Sequence, residues 1–122
     1  MFQIIFNKIS AAEISGLNTL DQLELLKQFK VEQRDLEQTE DKQSPFGIIE
    51  RDGRKLYRYR STDYRIYFEV KANNVIVHRV LHKNTLKDFL FRSKLPISED
   101  RALGESKHFW SMIEEGKKAR RI

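Results

Sequence analysis

Leu56-Tyr57-Arg58-Tyr59-Arg60-Ser61-Thr62-Asp63-Tyr64-Arg65-Ile66-Tyr67-Phe68-Glu69-Val70 is the stretch on which the fold turns. From Tyr64 onward it has a period of two, the signature of a β-strand with two different faces. Tyr64, Ile66, Phe68 and Val70 point one way and form a core set. Arg65, Tyr67 and Glu69 point the other way. Upstream, Tyr57 and Tyr59 suit a buried, half-polar face better than arginines do. That places Leu56, Arg58 and Arg60 on the side of Arg65.

Working outward, Phe46 to Arg51 and Arg54 to Ser61 flank Asp52-Gly53, a strong short hairpin signal. Tyr64 to Val70 and Val75 to His82 flank Lys71-Ala72-Asn73-Asn74, a second hairpin whose turn takes two or four residues. Either choice keeps the same parity. Val75, Val77 and Leu81 then join the core, while His78, Val80 and His82 join Arg65. Parity also puts Arg79 with the core, so it is expected at the sheet edge with its stem packed and its head in water.

Before the hairpins, Phe2 to Phe6 reads as a strand. Ser10-Ala11-Ala12-Glu13 has the form of a capping box, with Gly16 as a stop. Thr19 opens a second helix running to Phe29, with Leu20, Leu23, Leu26 and Lys27 at helical spacing, and a polar third helix spans Val31 to Gln38. Thr39 to Pro45 is a loop. After the hairpins, Thr85 to Arg92 reads as helical, Pro96 breaks the chain, and Glu105 to Arg121 is a helix with Phe109, Met112 and Ile113 on one side. The fold class is α+β: an N-terminal strand and helical hairpin packed on an antiparallel β-meander, with a C-terminal helical extension. The division is 1–92 for the main domain and 93–122 for the extension, packed on or against it. One sheet face is expected to stay free.

At 122 residues the chain fits one domain with a core of its own. Its 39% hydrophobic residues never run long enough to cross a bilayer, and its start lacks the pattern of a secretory signal. It has no cysteine, which excludes disulfides and thiolate metal sites. A cytoplasmic setting without membrane contact is the expectation. The net charge of +5 is lopsided: residues 1–50 hold five Lys/Arg against nine Asp/Glu, and the rest holds eighteen against nine. A basic half of this kind suits an anionic partner, nucleic acid first and an acidic protein second. The alternative is a generic solvated surface.

The free face therefore gathers Arg58, Arg60, Arg65, Tyr67, Glu69, His78 and His82. Arginine forks fit phosphate oxygens and stack on bases. Histidine and glutamate can carry protons near neutral pH. An RNA 2′-hydroxyl attacking its own phosphate needs a base, a charge stabiliser and an acid, and the face offers a candidate for each. Plain cross-strand charge pairing is the simpler alternative. His78 and His82, four apart on a strand, are roughly 13 Å apart and cannot share a metal ion. No metal or other cofactor is expected.

The quoted stretch, continued by Val75-Ile76-Val77-His78-Arg79-Val80-Leu81-His82-Lys83, resembles the RelE/ParE toxin superfamily of toxin–antitoxin modules. The shared pattern is a basic strand, a turn, Tyr-Arg opening an apolar strand, and a short hairpin into a Val/Ile-rich strand with a basic tail. The resemblance covers about residues 1–92. It implies a ribosome-dependent mRNA endoribonuclease held inactive by a cognate acidic antitoxin. It carries over Arg65 to stabilise the phosphate in flight, Arg58 and its neighbour Arg60 as basic positions on the preceding strand, and one of Lys83, Lys87 and Arg92 as the basic residue of the tail. The reading of the free face supplies the rest: His82 and Glu69 complete a catalytic set with Arg65, and His78 joins the RNA-binding residues. Family members often carry a tyrosine or histidine near the C-terminus, and here no tyrosine follows Tyr67. A ParE-like DNA gyrase inhibitor and a non-catalytic RNA- or protein-binding relative are the other readings. The basic run Lys117, Lys118, Arg120 and Arg121 is most simply a charged, frayed terminus.

Overall fold

The computed structural model describes residues 2–86 and 99–122. Its elements are β1 (Gln3–Phe6), α1 (Lys8–Ser15), α2 (Thr19–Gln28), α3 (Gln33–Glu37), β2 (Phe46–Arg51), β3 (Arg54–Arg60), β4 (Tyr64–Lys71), β5 (Asn74–His82), α4 (Glu99–Glu105) and α5 (Lys107–Lys118). The strands form one five-stranded sheet in the order β1-β5-β4-β3-β2. The β2–β5 meander is antiparallel, and β1 runs parallel to β5 with Phe6 opposite Val77. The result is a mixed α+β sheet.

Local chemistry explains most boundaries. Asp52 and Gly53 both take positive φ in a two-residue turn, where aspartate and glycine are tolerated. The second hairpin also closes in two residues, because Lys71 pairs with Asn74. Ala72 stands there at φ 53. The cap of α1 is Asn7 and not Ser10: Asn7 Oδ1 accepts from Ser10 N at 2.7 Å, while Ser10 Oγ accepts from Asn7 N at 3.0 Å. Ser10 supplies the returning half of the capping box. Asn18, one residue before Thr19, caps α2 through the Asp21 N–H at 2.8 Å.

Two cores flank the sheet. On one face, Tyr59, Ile66, Phe68, Val75, Val77 and Val80 meet Ile14 of α1, Leu25 of α2, and Phe29 and Val31 from the segment that follows α2. Phe68 is fully buried, worth about 1.5–3 kcal/mol relative to an exposed ring. On the other face, Ile49, Leu56, Tyr67 and Leu81 meet Leu103, Phe109, Trp110 and Ile113 from α4 and α5. The face expected to be free is thus covered. The stripe Phe109–Ile113 is the reason, since an apolar helix face must be buried against something. The leucine stripe of α2 is a second correction. Leu20, Leu23 and Leu26 face outward at 65%, 63% and 46% exposure, and α2 docks through Leu25 with Phe29 one turn on.

The third correction lies in β5. Phe68 pairs with Val77 but Tyr67 pairs with Arg79, so His78 is an extra residue in a β-bulge. Beyond it the parity reverses. Val80 enters the core beneath the hairpin helices and Leu81 the core beneath α5. Arg79 is held between layers: its guanidinium donates to Glu13 at 2.8–3.2 Å and to Met112 O at 3.1 Å. Residues 83–86 are helical with Leu86 buried, while Lys87, Phe89, Leu90, Arg92 and Pro96 lie outside the described residues. No helix among the described residues is long and apolar enough to cross a membrane.

Candidate functional site

The site grows from the β3–β4 ladder. Arg58 stands opposite Tyr67, and Arg60 opposite Arg65, so the three arginines and the tyrosine share one sheet face. This matches the expected grouping. The environment does not, because Arg58 and Arg65 are each only 8% exposed beneath the first turn of α4.

Asp100 binds Arg58 with both oxygens, at 3.1 Å from Nε and 2.6 Å from Nη2. The third arm of the fork, Nη1, donates to Pro45 O at 2.6 Å. Arg65 Nε donates to Glu99 Oε1 at 2.9 Å, and its Nη1 to Ser61 O and Tyr64 O at 3.0 and 3.1 Å. The planar, two-point Arg58–Asp100 contact belongs to the stronger class of charge-assisted hydrogen bond, whereas Glu99 meets Arg65 at a single point. Between the two arginines lies Tyr67, whose ring is wholly buried and packs edge-on against Phe109 at 5.0 Å. Its hydroxyl is buried without a hydrogen-bond partner among the described residues. Burial pushes that hydroxyl well above the ordinary tyrosine range; Glu99 and Asp100 add to the effect, and Arg65 and Arg58 oppose it. It therefore stays protonated at neutral pH as a donor, with no role as a base. Tyr67 was absent from the candidate roles, although its place between two arginines could be read from strand parity.

Arg60 is exposed at the end of β3. It lines a cleft of about 350 Å³ with Lys42, Ser44, Glu40 and Asp41, floored by Arg58, Glu99 and Asp100. Lys83 makes a surface ion pair with Asp63 at 2.9 Å, which lowers the Asp63 carboxyl below its usual range. Lys87 and Arg92 lie outside the described residues.

Two other expected members are elsewhere. Glu69 lies four residues beyond Arg65 on the same face, roughly 13 Å along the strand. There it meets the bulged His78 (Nε2 to Oε1, 3.5 Å), Lys117 (3.7 Å) and Lys71 (4.0 Å). His78 is 3% exposed, and neither ring nitrogen has a hydrogen-bond partner among the described residues. Burial lowers its pKa, Lys117 and Lys71 lower it further, and Glu69 opposes them. His82 is on the opposite face of the sheet. The bulge turns it toward Tyr64, ring centroids 5.1 Å apart, and its Nδ1 accepts from Asn84 N at 3.0 Å. Arg65, Glu69 and His82 thus do not converge.

The basic C-terminus is also tied down. Lys8 N donates to Arg120 O at 2.7 Å and Ile122 N to Phe6 O at 3.2 Å, with Arg121 bridged to Asn7. Among the described residues, no three His, Cys, Asp or Glu side chains stand close enough to hold a metal ion. Compared with known proteins, the chain matches no family model, no curated protein and no solved structure.

Proposed function

We propose that this chain is the toxin of a toxin–antitoxin module, RelE-like in kind, that stops translation by acting on messenger RNA held on the ribosome. In this reading Arg58 and Arg65 meet the RNA phosphates, and a cognate acidic antitoxin keeps the protein silent in the cytoplasm. The observation that carries it is the gathering of those two arginines on one sheet face beside Tyr67, Arg58 opposite it and Arg65 two residues before it, with a tyrosine hydroxyl that has no partner among the described residues. Two guanidiniums and a neutral donor suit a phosphodiester, whose charge grows as a 2′-hydroxyl attacks. The order of strand, helical hairpin and four-stranded meander also accords with the resemblance.

His82, on the other side of the sheet, has no part in this chemistry. Glu69 and His78 form their own pair away from the arginines. That separation favours a second reading, in which the same fold binds without cutting, as a ParE-like gyrase inhibitor or a non-catalytic RNA-binding relative.

Induced expression distinguishes them, with growth and transcript integrity followed for wild type, Arg65→Ala and His82→Ala. The nuclease reading expects arrested growth with transcripts cut inside reading frames. It expects Arg65→Ala, verified as folded by circular dichroism, to lose both effects and His82→Ala to keep them. Arrest with intact transcripts and unsupercoiled DNA supports gyrase as target. Unimpaired growth with wild type overturns the toxin reading.

A further inference from the structure

The arginine site is filled from within. Glu99 and Asp100, consecutive residues at the start of α4, each set a carboxylate on one of the two guanidiniums, at 2.9 Å for Arg65 and at 2.6 and 3.1 Å for Arg58. Beneath them lies the unpartnered Tyr67 hydroxyl. Beside them opens the cleft lined by Lys42 and Arg60 together with Glu40 and Asp41. Carboxylates bonded to arginine, at two points for Asp100 and at one for Glu99, present oxygens much as a phosphodiester does.

We propose that Glu99 and Asp100 are an internal stand-in for RNA phosphates, so that α4 is an acidic plug and RNA reaches Arg58 and Arg65 only by displacing it. This rests on the reading of the face as an RNA site and adds its regulation. Three observations set it apart from ordinary helix docking. The apolar anchors of this layer, Leu103, Phe109 and Ile113, are buried independently of the ion pairs. Burying ion pairs is a poor way to gain stability where apolar contact would serve. The Tyr67 donor is left unsatisfied by the plug, whereas a ligand with more oxygens can use it. Arg60 and Lys42 line the same cleft as the two carboxylates, so a phosphate strand held by those cations lies next to the plug.

The test is binding of a fluorescent single-stranded RNA oligomer across a salt series. Glu99→Ala/Asp100→Ala removes the competitor, while Arg58 and Arg65 neutralise the same phosphates in both proteins. Its plot of log affinity against log salt should therefore run parallel to that of wild type. It should lie roughly tenfold higher or more, as for a site that the plug leaves open in about a tenth of molecules or fewer. A second variant leaves every charge in place. A Cβ at Gly104 would stand 3.3 Å from Ile49 Cγ2, so Ile49→Cys/Gly104→Cys can close a disulfide across α4 and β2 in a chain that has no other cysteine. Oxidised, it should lose RNA binding; reduced, it should regain it.

Equal affinities for wild type and the alanine pair, or equal binding by the oxidised and reduced forms, would overturn the plug. The toxin reading is judged separately. Toxic wild type with equal affinities sinks the plug alone. A tighter-binding alanine pair with harmless wild type sinks the toxin reading alone.

Discussion

The Arg58 guanidinium lies across the backbone of Gly47, its cross-strand partner. A Cβ at that glycine would stand 2.7 Å from Arg58 Cζ and 2.9 Å from Asp100 Oδ2. The missing side chain is the lane along which the fork reaches Pro45 O and Asp100 together. Gly47→Ala should therefore push the guanidinium off its seat and loosen α4, at a cost of about 1–3 kcal/mol. Urea denaturation followed by circular dichroism checks it. An unchanged midpoint would mean that the pair adapts without loss.

Asn7 joins the first strand to the last helix. Its Nδ2 donates to Val77 O and His78 O at 3.1 Å each and to Gly116 O at 2.7 Å, while its Oδ1 caps α1. Gly116 presses on the same bulge, where its Cβ would stand 2.8 Å from the His78 carbonyl carbon. Asn7→Ala removes a cap, worth about 1 kcal/mol, and strands buried acceptors, at about 1–3 kcal/mol. The expected loss is about 2–4 kcal/mol. Asn7→Ser, which keeps the cap and shortens the donor, should fall between.

The buried His78 sets a pH dependence. Its folded pKa lies below the ordinary 6.5, with burial the main cause. The unfolded chain then binds the proton more readily, so this contribution is fully present above 6.5 and is lost as the pH falls below it. Glu69, Lys117 and Lys71 face the ring and oppose or reinforce the shift as their charges dictate. Unfolding free energy should drop from pH 7 toward pH 5 with a slope of up to about 1.36 kcal/mol per pH unit from this group. His78→Gln, compared with wild type at each pH, should flatten that slope. An identical slope in both would assign the effect elsewhere.

Ala72 occupies a left-handed conformation, φ 53, at the first position of its turn. That conformation costs an L-residue about 1–2 kcal/mol, and glycine adopts it freely at an entropic cost of about 0.5–1 kcal/mol. Ala72→Gly should raise stability by about 0.5–1 kcal/mol. A lowered thermal midpoint would show that the methyl group makes a contact worth more than the strain.

How far the sequence could be read depended on whether a feature was local. Alternation from Leu56 to Val70 located β3 and β4 and sorted Arg58, Arg60 and Arg65 onto one face, because side-chain direction in a regular strand is set by backbone geometry alone. Asp52-Gly53 marked its hairpin for the same reason. The extra residue at His78 was invisible, since Val75 to His82 alternates acceptably in either register. Only pairing against Tyr67 and Phe68, with Asn7 and Glu13 taking up the loosened backbone, shows where the count breaks. His82 crossed to the far face on that one residue.

What the sequence determined by itself was the α+β class, the meander and the shared face of the arginines, all consequences of short-range periodicity and turn chemistry. What only the tertiary structure decided was the environment of that face. Burial is a property of what lies above a residue, and Glu99, Asp100, Phe109 and Trp110 come from 34 or more residues beyond Arg65. Periodicity carries no distance of that length, so the arginines that read as open to solvent are closed under two carboxylates.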